Sequence, residues 1–261
     1  MKIAFIGYGN IAKSLINRLS TIPQYKLFAA SPSLNDEILP NGLITNPNNA
    51  VIAEDADVII IAVKPYHVVQ VLSEIRSKLN EKTVIISLAS GITLDTLASN
   101  CPDGQPIVRA MPNTPVSIGM GATALLANAY LSTHHHQLVE ALFKPTGETA
   151  WVLSDSAINA LTALSGSGPA YVFLFAEALI KAGARLDISP ELAHKFTLQT
   201  IAGALALMQT TTNSPAELRK KVTASGGTTE AAIAVFQQHD FETVISTAIN
   251  AAYQRAIELS K

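Results

Sequence analysis

Two short glycine-containing segments, far apart in the chain, have residue types and spacing suited to binding anions. Residues 7–12 read Gly-Tyr-Gly-Asn-Ile-Ala and match the Gly-x-Gly-x-x-Gly/Ala pattern of a dinucleotide-binding turn. Residues 224–230 read Ala-Ser-Gly-Gly-Thr-Thr-Glu, where two glycines precede a predicted helix and the glutamate stands in capping-box relation to the second glycine. Free N–H groups at a helix start attract phosphates and carboxylates. The first segment therefore predicts a pyrophosphate site; the second is either a carboxylate site or an ordinary glycine-capped helix start.

The first segment has the glycine placement that a dinucleotide requires. Gly7 allows a tight turn, Gly9 lets the backbone approach a pyrophosphate, and the small Ala12 allows close packing of helix on strand. An apolar strand precedes the turn, and a helix beginning near residue 10 or 11 keeps one apolar face. We predict that the turn contacts the cofactor through Ile6, Gly7, Tyr8, Gly9, Asn10 and Ile11. A plain strand-turn-helix is the alternative.

Three later segments end predicted strands with residues that could face a flat ligand. Residues 62–65 read Ala-Val-Lys-Pro at the carboxyl end of a strand, where open α/β sheets bind ligands. A polar strand end closed by a proline would have the same sequence. Residues 87–91 are mostly small, so a ligand could approach the backbone, and residues 109–115 place an Asn-Thr pair between two prolines, which makes a rigid turn.

Strands and helices must alternate over the first part of the chain to position these segments. Besides the strand before the glycine turn, nearly continuous apolar runs predict strands at 27–30, 57–63, 83–88, 106–110, 122–127 and 150–153. Helical spacing occurs near 68–79 and 132–143, and then at 157–182, 190–209, 215–223, 229–239 and 241–260. The predicted fold class is α/β: an N-terminal Rossmann-like doubly wound sheet in residues 1–154, followed by an all-α domain in residues 155–261.

The first long helix of the second domain has two unusual features. Gly166, Gly168 and Pro169 fall inside its pattern and predict a bend. Residues 171–180 are apolar nearly all round except for Glu177, and a helix with so little polar surface is normally buried. In a domain of only about a hundred residues, that burial indicates a subunit interface, and hence a homo-oligomer.

Composition excludes several classes of protein. The chain has 261 residues, 48% hydrophobic and 15% charged, and a net charge of −2, which favours an ordinary globular protein that binds neither nucleic acid nor membranes. No apolar stretch reaches the roughly 18 residues of a membrane span, so we expect a cytoplasmic protein. Cys101 is the single cysteine, which excludes an intramolecular disulfide. Consecutive histidines 134–136 point in different directions on a helix and predict a solvated face rather than a metal site.

Together, five segments resemble the motifs of pyrroline-5-carboxylate reductases in order and approximate spacing. They are residues 7–12, 62–65 and 109–115, Leu-Ser-Gly-Ser-Gly-Pro-Ala-Tyr at 164–171, and Gly-Gly-Thr-Thr at 226–229. The resemblance covers essentially the whole chain. It implies hydride transfer from NAD(P)H to the C=N carbon of 1-pyrroline-5-carboxylate, which gives L-proline in the last step of proline biosynthesis. For this reaction the enzyme must align the planes of the nicotinamide and the imine, bind the substrate carboxylate and transfer one proton. It needs no metal.

The resemblance also implies roles for individual residues. The loop before Thr229 would grip the substrate carboxylate, and Thr229, too weak an acid to act alone, would orient the imine and relay a proton as the catalytic residue. The implied substrate-binding residues are Lys221, Ser225, Gly226, Gly227, Thr228 and Thr229. Asn49 would approach the adenosine, and Ala62, Val63, Lys64 and Pro65 the ribose and nicotinamide. Ser31, Ser33, Ala89, Gly91 and Asn113 complete the expected cofactor set.

Some positions depart from the family pattern. Ala224 lacks the hydroxyl expected there, and Ser225 replaces a proline. Asp155 stands where some relatives carry glutamate, and Lys221 where some carry asparagine. These departures bear on the roles of individual residues more than on the family assignment.

The segment after the second predicted strand bears on cofactor choice. An acidic residue there favours NAD, whereas basic or hydroxyl groups accommodate the 2′-phosphate of NADP. The chain offers Ser31 and Ser33, then Asp36, with no arginine. We therefore expect NADPH, with NADH also used. The resemblance further implies a homodimer or a larger homo-oligomer, such as a decamer built from dimers.

Two other functions stay open at this stage. One is a different two-domain Rossmann reductase, acting on a β-hydroxyacid or another cyclic imine. Such hydroxyacid enzymes typically use a lysine on the first long helix of the second domain, and here no lysine occurs there before Lys181. The other is a catalytically inactive dinucleotide-binding regulator, suggested by the missing hydroxyl at Ala224.

Overall fold

The computed structural model describes residues 1–260. Its strands are β1 (Lys2–Ile6), β2 (Lys26–Ala30), β3 (Glu37–Ile38), β4 (Ile44–Asn46), β5 (Val58–Ile61), β6 (Val84–Ser87), β7 (Ile107–Met111), β8 (Gly121–Ala127) and β9 (Gly147–Trp151). Its helices are α1 (Asn10–Leu19), α2 (Asn49–Ala53), α3 (Val68–Ile75), α4 (Leu94–Ser99), α5 (Thr133–Phe143), α6 (Asp155–Leu161), α7 (Gly168–Ala184), α8 (Pro190–Thr210), α9 (Pro215–Lys221), α10 (Thr228–Gln238) and α11 (Phe241–Glu258).

All nine strands form one sheet in the order β3-β4-β2-β1-β5-β6-β7-β8-β9. The six strands from β4 to β7 in this order run parallel, and the chain crosses from β4 past β2 and β1 to reach β5. β3 is antiparallel to β4, and β8 is antiparallel to β7. The expected α/β fold class is confirmed, and the sheet is mixed rather than wholly parallel because the chain reverses after β7.

Continuous apolar strands follow from burial on both faces of this sheet. Alternate β1 residues Ile3 and Phe5 join one core cluster with helices α1 and α5. The intervening Ala4 and Ile6 join a second cluster with α3 and α4. Because successive side chains of a strand point to opposite faces, a sheet covered twice needs apolar residues at every position. This arrangement places the carboxyl ends of β1, β2 and β5 at one edge, where ligands bind.

The predicted central strands and long helices are confirmed to within a few residues. The strand predicted at 150–153 lies too late, since β9 occupies Gly147–Trp151. Four short elements are absent from the sequence prediction: β3, β4, α2 and α4. Each has two to six residues, too few to show a helical or strand period.

The chain divides into two compact units. The first contains Met1–Ser167 together with the residues from Ala251 onward, and the second contains Gly168–Asn250. In the second unit, α7 packs against α8, yet large apolar side chains of both helices are exposed, among them Phe173 at 66% and Phe196 at 63%. The described part of this unit buries only small residues such as Ala176 and Ala193. Exposed apolar surface of this extent is typical of a surface that packs against another protein surface.

The interruption predicted inside the 157–182 helix is confirmed, since α6 ends at Leu161 and α7 begins at Gly168. Residues Thr162–Gly166 form a π-turn, closed by the Ser167 N–H donating to the Thr162 carbonyl at 2.8 Å. Pro169 then lies in the first turn of α7, where its missing N–H breaks no hydrogen bond. The expectation that no stretch could span a membrane is wrong by length and composition alone, since Asp155–Ala184 is long and apolar enough. Small polar residues in that segment lower its hydropathy less than charges would.

Candidate active site

The glycine turn after β1 has an open anion-binding geometry. Gly7 has φ +99°, and its N–H donates to the Ala30 carbonyl at 2.8 Å. A Cβ on Gly7 would lie 2.5 Å from the Ala62 carbonyl oxygen, so only glycine fits. Gly9 is the N-cap of α1 and offers no side chain to cap the helix. A Cβ on Gly9 would have no protein atom within 4 Å, so the space beside it is open. The first-turn N–H groups of α1, which begins at Asn10, thus remain available for a pyrophosphate, as the dinucleotide motif requires.

A cavity of about 760 Å³ lies beside this turn, at the carboxyl ends of β1 and β2. Its lining residues are Gly7, Ala30, Ser31, Pro32, Pro47, Asn48, Asn49, Ala50, Val63, His67, Gln70, Val71 and Glu74. The structure therefore brings together four of the predicted cofactor residues: Gly7, Ser31, Asn49 and Val63. The size, the flanking glycine turn and the polar rim fit the adenosine part of a dinucleotide.

Hydroxyl groups stand where the 2′ substituent of an adenosine ribose is normally read. Ser31 directly follows β2, and its Oγ lies 3.1 Å from Ser33 Oγ. Neither hydroxyl carries a charge, so the pair can donate to a phosphate or accept from a ribose hydroxyl. The described cavity lining contains no lysine or arginine.

The other predicted cofactor segments have mixed environments. Ala62 donates its N–H to the Ile6 carbonyl at 2.7 Å, which ties this segment to the glycine turn. Lys64 is exposed and precedes a 3-10 turn that begins at Pro65. Ala89 is buried, and a Cβ on Gly91 would collide with the Leu259 carbonyl. The close approach of Leu259 therefore explains the glycine at position 91.

The side chain of Asn113 connects three segments of the first unit by hydrogen bonds. Its side chain is buried, its Oδ1 accepts from the Ala122 N–H at 2.9 Å, and its Nδ2 donates to the Ser165 carbonyl at 2.9 Å. Ser165 belongs to the π-helical segment Thr162–Gly166, and such single π-helical turns within helices are frequent at functional sites. The amide group thus joins the loop after β7, the start of β8 and the π-turn, which accounts for an asparagine here by structure alone.

Sequence reasoning missed a buried ion pair nearby. Arg109 of β7 pairs with Asp155 at the start of α6, and the arginine side chain is 3% exposed against 34% for the aspartate. Arg109 Nη2 is buried without a hydrogen-bond partner. An arginine in a strand that otherwise reads as apolar was the available signal, because a buried charge needs a partner.

The second glycine segment, in the helical unit, opens α10. Gly226 has φ +72°, and Gly227 is the N-cap of the helix. The Glu230 carboxylate accepts the Gly226 N–H at 2.7 Å, one residue earlier than a capping box would place it, because the Gly227 N–H donates to the Ala224 carbonyl. This corrects the predicted capping relation.

Two residues of this segment expose the groups expected for substrate binding. Thr228 and Thr229 are the first two residues of α10, and both are exposed. First-turn N–H groups have no acceptor within their own helix. Two such N–H groups and two hydroxyls therefore remain at this helix start, and Ser225 is exposed beside them.

Lys221 ends α9, and its Nζ donates to Asn213 Oδ1 at 2.9 Å. The neighbouring Arg219 and Lys220 line a hollow of about 500 Å³ together with Glu230. Because Glu217 lines the hollow as well, its two cations are balanced by two carboxylates, and the hollow has no net charge that would favour an anionic ligand.

Two features outside these segments have structural explanations. Burial raises the pKa of the Cys101 thiol to about 11, although the positive charge of Arg76 lowers it slightly. Ser132 is the N-cap of α5, and His135 Nδ1 accepts from the Ser132 N–H at 3.4 Å in a capping box. Burial, followed by the charges of His134 and His136, lowers the pKa of His135. Among residues 1–260, no group of three or more His, Cys, Asp or Glu side chains is arranged to hold a metal ion.

Two family models match parts of the chain. Residues 155–259 match the model described as pyrroline-5-carboxylate reductase dimerisation. Residues 2–91 match the model described as NADP oxidoreductase, coenzyme F420-dependent. The matched regions contain the helical segments and the glycine turn, respectively.

Full-length similarity extends to individual proteins. The chain is 39% identical to the pyrroline-5-carboxylate reductase of Pseudomonas aeruginosa, over 100% of this chain and 97% of the relative. The structure superposes on a pyrroline-5-carboxylate reductase from Coxiella burnetii with a TM-score of 0.90 at 37% identity, covering 99% of this chain and 98% of the other. It also superposes on the NADP-bound pyrroline carboxylate reductase of Plasmodium falciparum with a TM-score of 0.91 at 27% identity, covering 100% and 98%.

Proposed function

The chain belongs to the pyrroline-5-carboxylate reductase family, and from that premise we propose that it reduces 1-pyrroline-5-carboxylate to L-proline with NAD(P)H. The observation that carries the proposal is similarity over the entire chain, at 39% identity to one reductase of that name. It includes both the glycine turn and the segment that opens α10. This reaction is the last step of proline biosynthesis.

The residues fit the chemistry of a cyclic imine that bears a carboxylate. When bound, NAD(P)H supplies the hydride that the C=N carbon accepts. The backbone N–H groups of Thr228 and Thr229 hold the carboxylate at the start of α10. The Thr229 hydroxyl hydrogen-bonds the ring nitrogen, orients the imine and relays its proton. Ser225, Gly226, Gly227 and Lys221 complete the proposed substrate set.

The first unit binds the cofactor in this proposal. The glycine turn, with α1 behind it, takes the pyrophosphate, and the cavity after β2 takes the adenosine. The proposed contact residues are those predicted from the sequence; among them, Gly91 and Asn113 also have structural roles, in packing against Leu259 and in the side-chain hydrogen bonds to Ala122 and Ser165. NADPH binds with help from Ser31 and Ser33, and NADH also binds because neither serine requires a phosphate.

Residues 155–261 provide substrate binding and dimerisation, as the match to a dimerisation model over 155–259 supports. Exposed apolar residues on α7 and α8 supply the surface that a second copy would cover. We propose a homodimer, a larger homo-oligomer such as a decamer built from it, and a cytoplasmic location.

A substrate panel tests the function. At a fixed protein concentration, NADPH oxidation is followed with pyrroline-5-carboxylate and with piperideine-6-carboxylate, and NADPH formation is followed with a β-hydroxyacid and NADP⁺. The proposal expects turnover with the first substrate well above the other two. Faster turnover of another substrate would replace the assignment, and tight NADPH binding without turnover of any would favour a regulator.

A further inference from the structure

Glu74 of α3 joins two amide side chains at the wall of the adenosine cavity. Its Oε2 accepts from Asn49 Nδ2 at 2.7 Å, and its Oε1 accepts from Gln70 Nε2 at 2.9 Å. All three residues line the same cavity as Ser31. One carboxylate therefore sets the orientation of both amides.

The chemistry of the groups leaves no other orientation. An ionised carboxylate only accepts hydrogen bonds, so each amide must turn its NH₂ group toward Glu74. The carbonyl oxygens of Asn49 and Gln70 are then left as acceptors on the same wall. With no lysine or arginine among the described lining residues, this wall carries a negative charge and acceptor oxygens.

We propose that Glu74 is a specificity-determining residue that restrains the preference for NADPH over NADH. The inference rests on the proposed function for the presence of a dinucleotide. A free ribose 2′-hydroxyl can donate to an acceptor oxygen, whereas a 2′-phosphate offers acceptors only and is repelled by the carboxylate. The Ser31 hydroxyl, on the lining of the same cavity and 3.1 Å from Ser33 Oγ, can donate to the phosphate, so the balance between Ser31 and Glu74 sets the preference between NADPH and NADH.

The test is Glu74→Gln, with binding of 2′-phospho-ADP-ribose and ADP-ribose measured by calorimetry in the absence of imine. The glutamine removes the charge and lets one neighbouring amide turn its NH₂ group toward the ligand. We expect the affinity ratio in favour of the 2′-phosphate to rise by about threefold to tenfold, as for a partly solvated charge. The ratio of kcat/KM values for NADPH and NADH should rise in parallel.

Glu148→Gln is the matched control, because Glu148 is an exposed carboxylate on β9 outside the cavity lining. Its ratio should stay within about twofold of the starting protein. An unchanged ratio in Glu74→Gln, an equal change in Glu148→Gln, or a uniform loss of both ligands would overturn the inference. Because binding is read without turnover, failure to reduce pyrroline-5-carboxylate would count against the proposed function alone.

Discussion

Substitution of Gly7 by alanine should damage both stability and cofactor binding. With φ +99°, the alanine would adopt a left-handed conformation that costs about 1–2 kcal/mol. Its Cβ would lie 2.5 Å from the Ala62 oxygen, 2.7 Å from the Ala62 carbonyl carbon and 2.9 Å from the Val63 nitrogen. These are backbone atoms of a neighbouring strand end, and overpacking of this kind costs about 1–3 kcal/mol more.

Gly104→Ala provides the matched control. Gly104 also has a positive φ, +79°, but a Cβ there meets no atom within 4 Å, so only the conformational cost applies. Thermal unfolding at one protomer concentration should place Gly7→Ala below Gly104→Ala by the overpacking cost of about 1–3 kcal/mol. The shifted turn should also weaken NADPH binding at least about tenfold, which corresponds to roughly 1.4 kcal/mol, while Gly104→Ala binds normally.

Equal melting temperatures for the two variants would refute the steric reasoning. Normal NADPH affinity in a folded Gly7→Ala protein would refute the role of this turn in pyrophosphate binding. The two measurements are independent, so each part of the reasoning can fail separately.

Three further results are expected. Thr229→Val should lower kcat by about 10²-fold or more with little change in NADPH affinity, whereas Thr229→Ser, which keeps the hydroxyl, should retain most activity; equal turnover in both would remove Thr229 from the mechanism. Asp155→Asn leaves the buried Arg109 charge unpaired and should cost about 2–3 kcal/mol in urea unfolding, against less than about 1 kcal/mol for Glu258→Gln in an exposed pair, and similar losses would contradict the burial argument. Because burial raises its pKa to about 11, Cys101 should resist alkylation at pH 8 until the protein is unfolded, and rapid native labelling would show that the thiol is accessible.

The core of the sheet could be predicted from sequence because burial on two faces leaves a plain signal. β5 reads Val-Ile-Ile-Ile and β6 reads Val-Ile-Ile-Ser, runs that only a doubly covered strand needs. The edge strand β3 and its neighbour β4 have only two and three residues, which is too few to show a strand pattern in the sequence. The antiparallel direction of β8 depends on the turn after β7, since apolar runs do not encode strand direction.

Backbone geometry accounts for some of the predicted site residues, whereas the partners of polar side chains depend on how the fold brings segments together. Gly7 is required by its φ and by the approach of Ala62, both of which follow from the motif. Cofactor contact by Asn113 stays a prediction, and the hydrogen bonds of its side-chain amide to Ala122 and to the distant Ser165 could not be predicted from the sequence. Glu74 carried no motif, because its role depends on two amides that the fold brings to it.

The central claim is tested most directly by product formation. The purified protein is incubated with NADPH and DL-pyrroline-5-carboxylate, and proline is quantified by chiral chromatography alongside NADPH oxidation. The account predicts one L-proline for each NADPH consumed, with both initial rates lowered by about 10²-fold or more in Thr229→Val. NADPH consumption without L-proline, or no consumption by protein that binds NADPH, would contradict it.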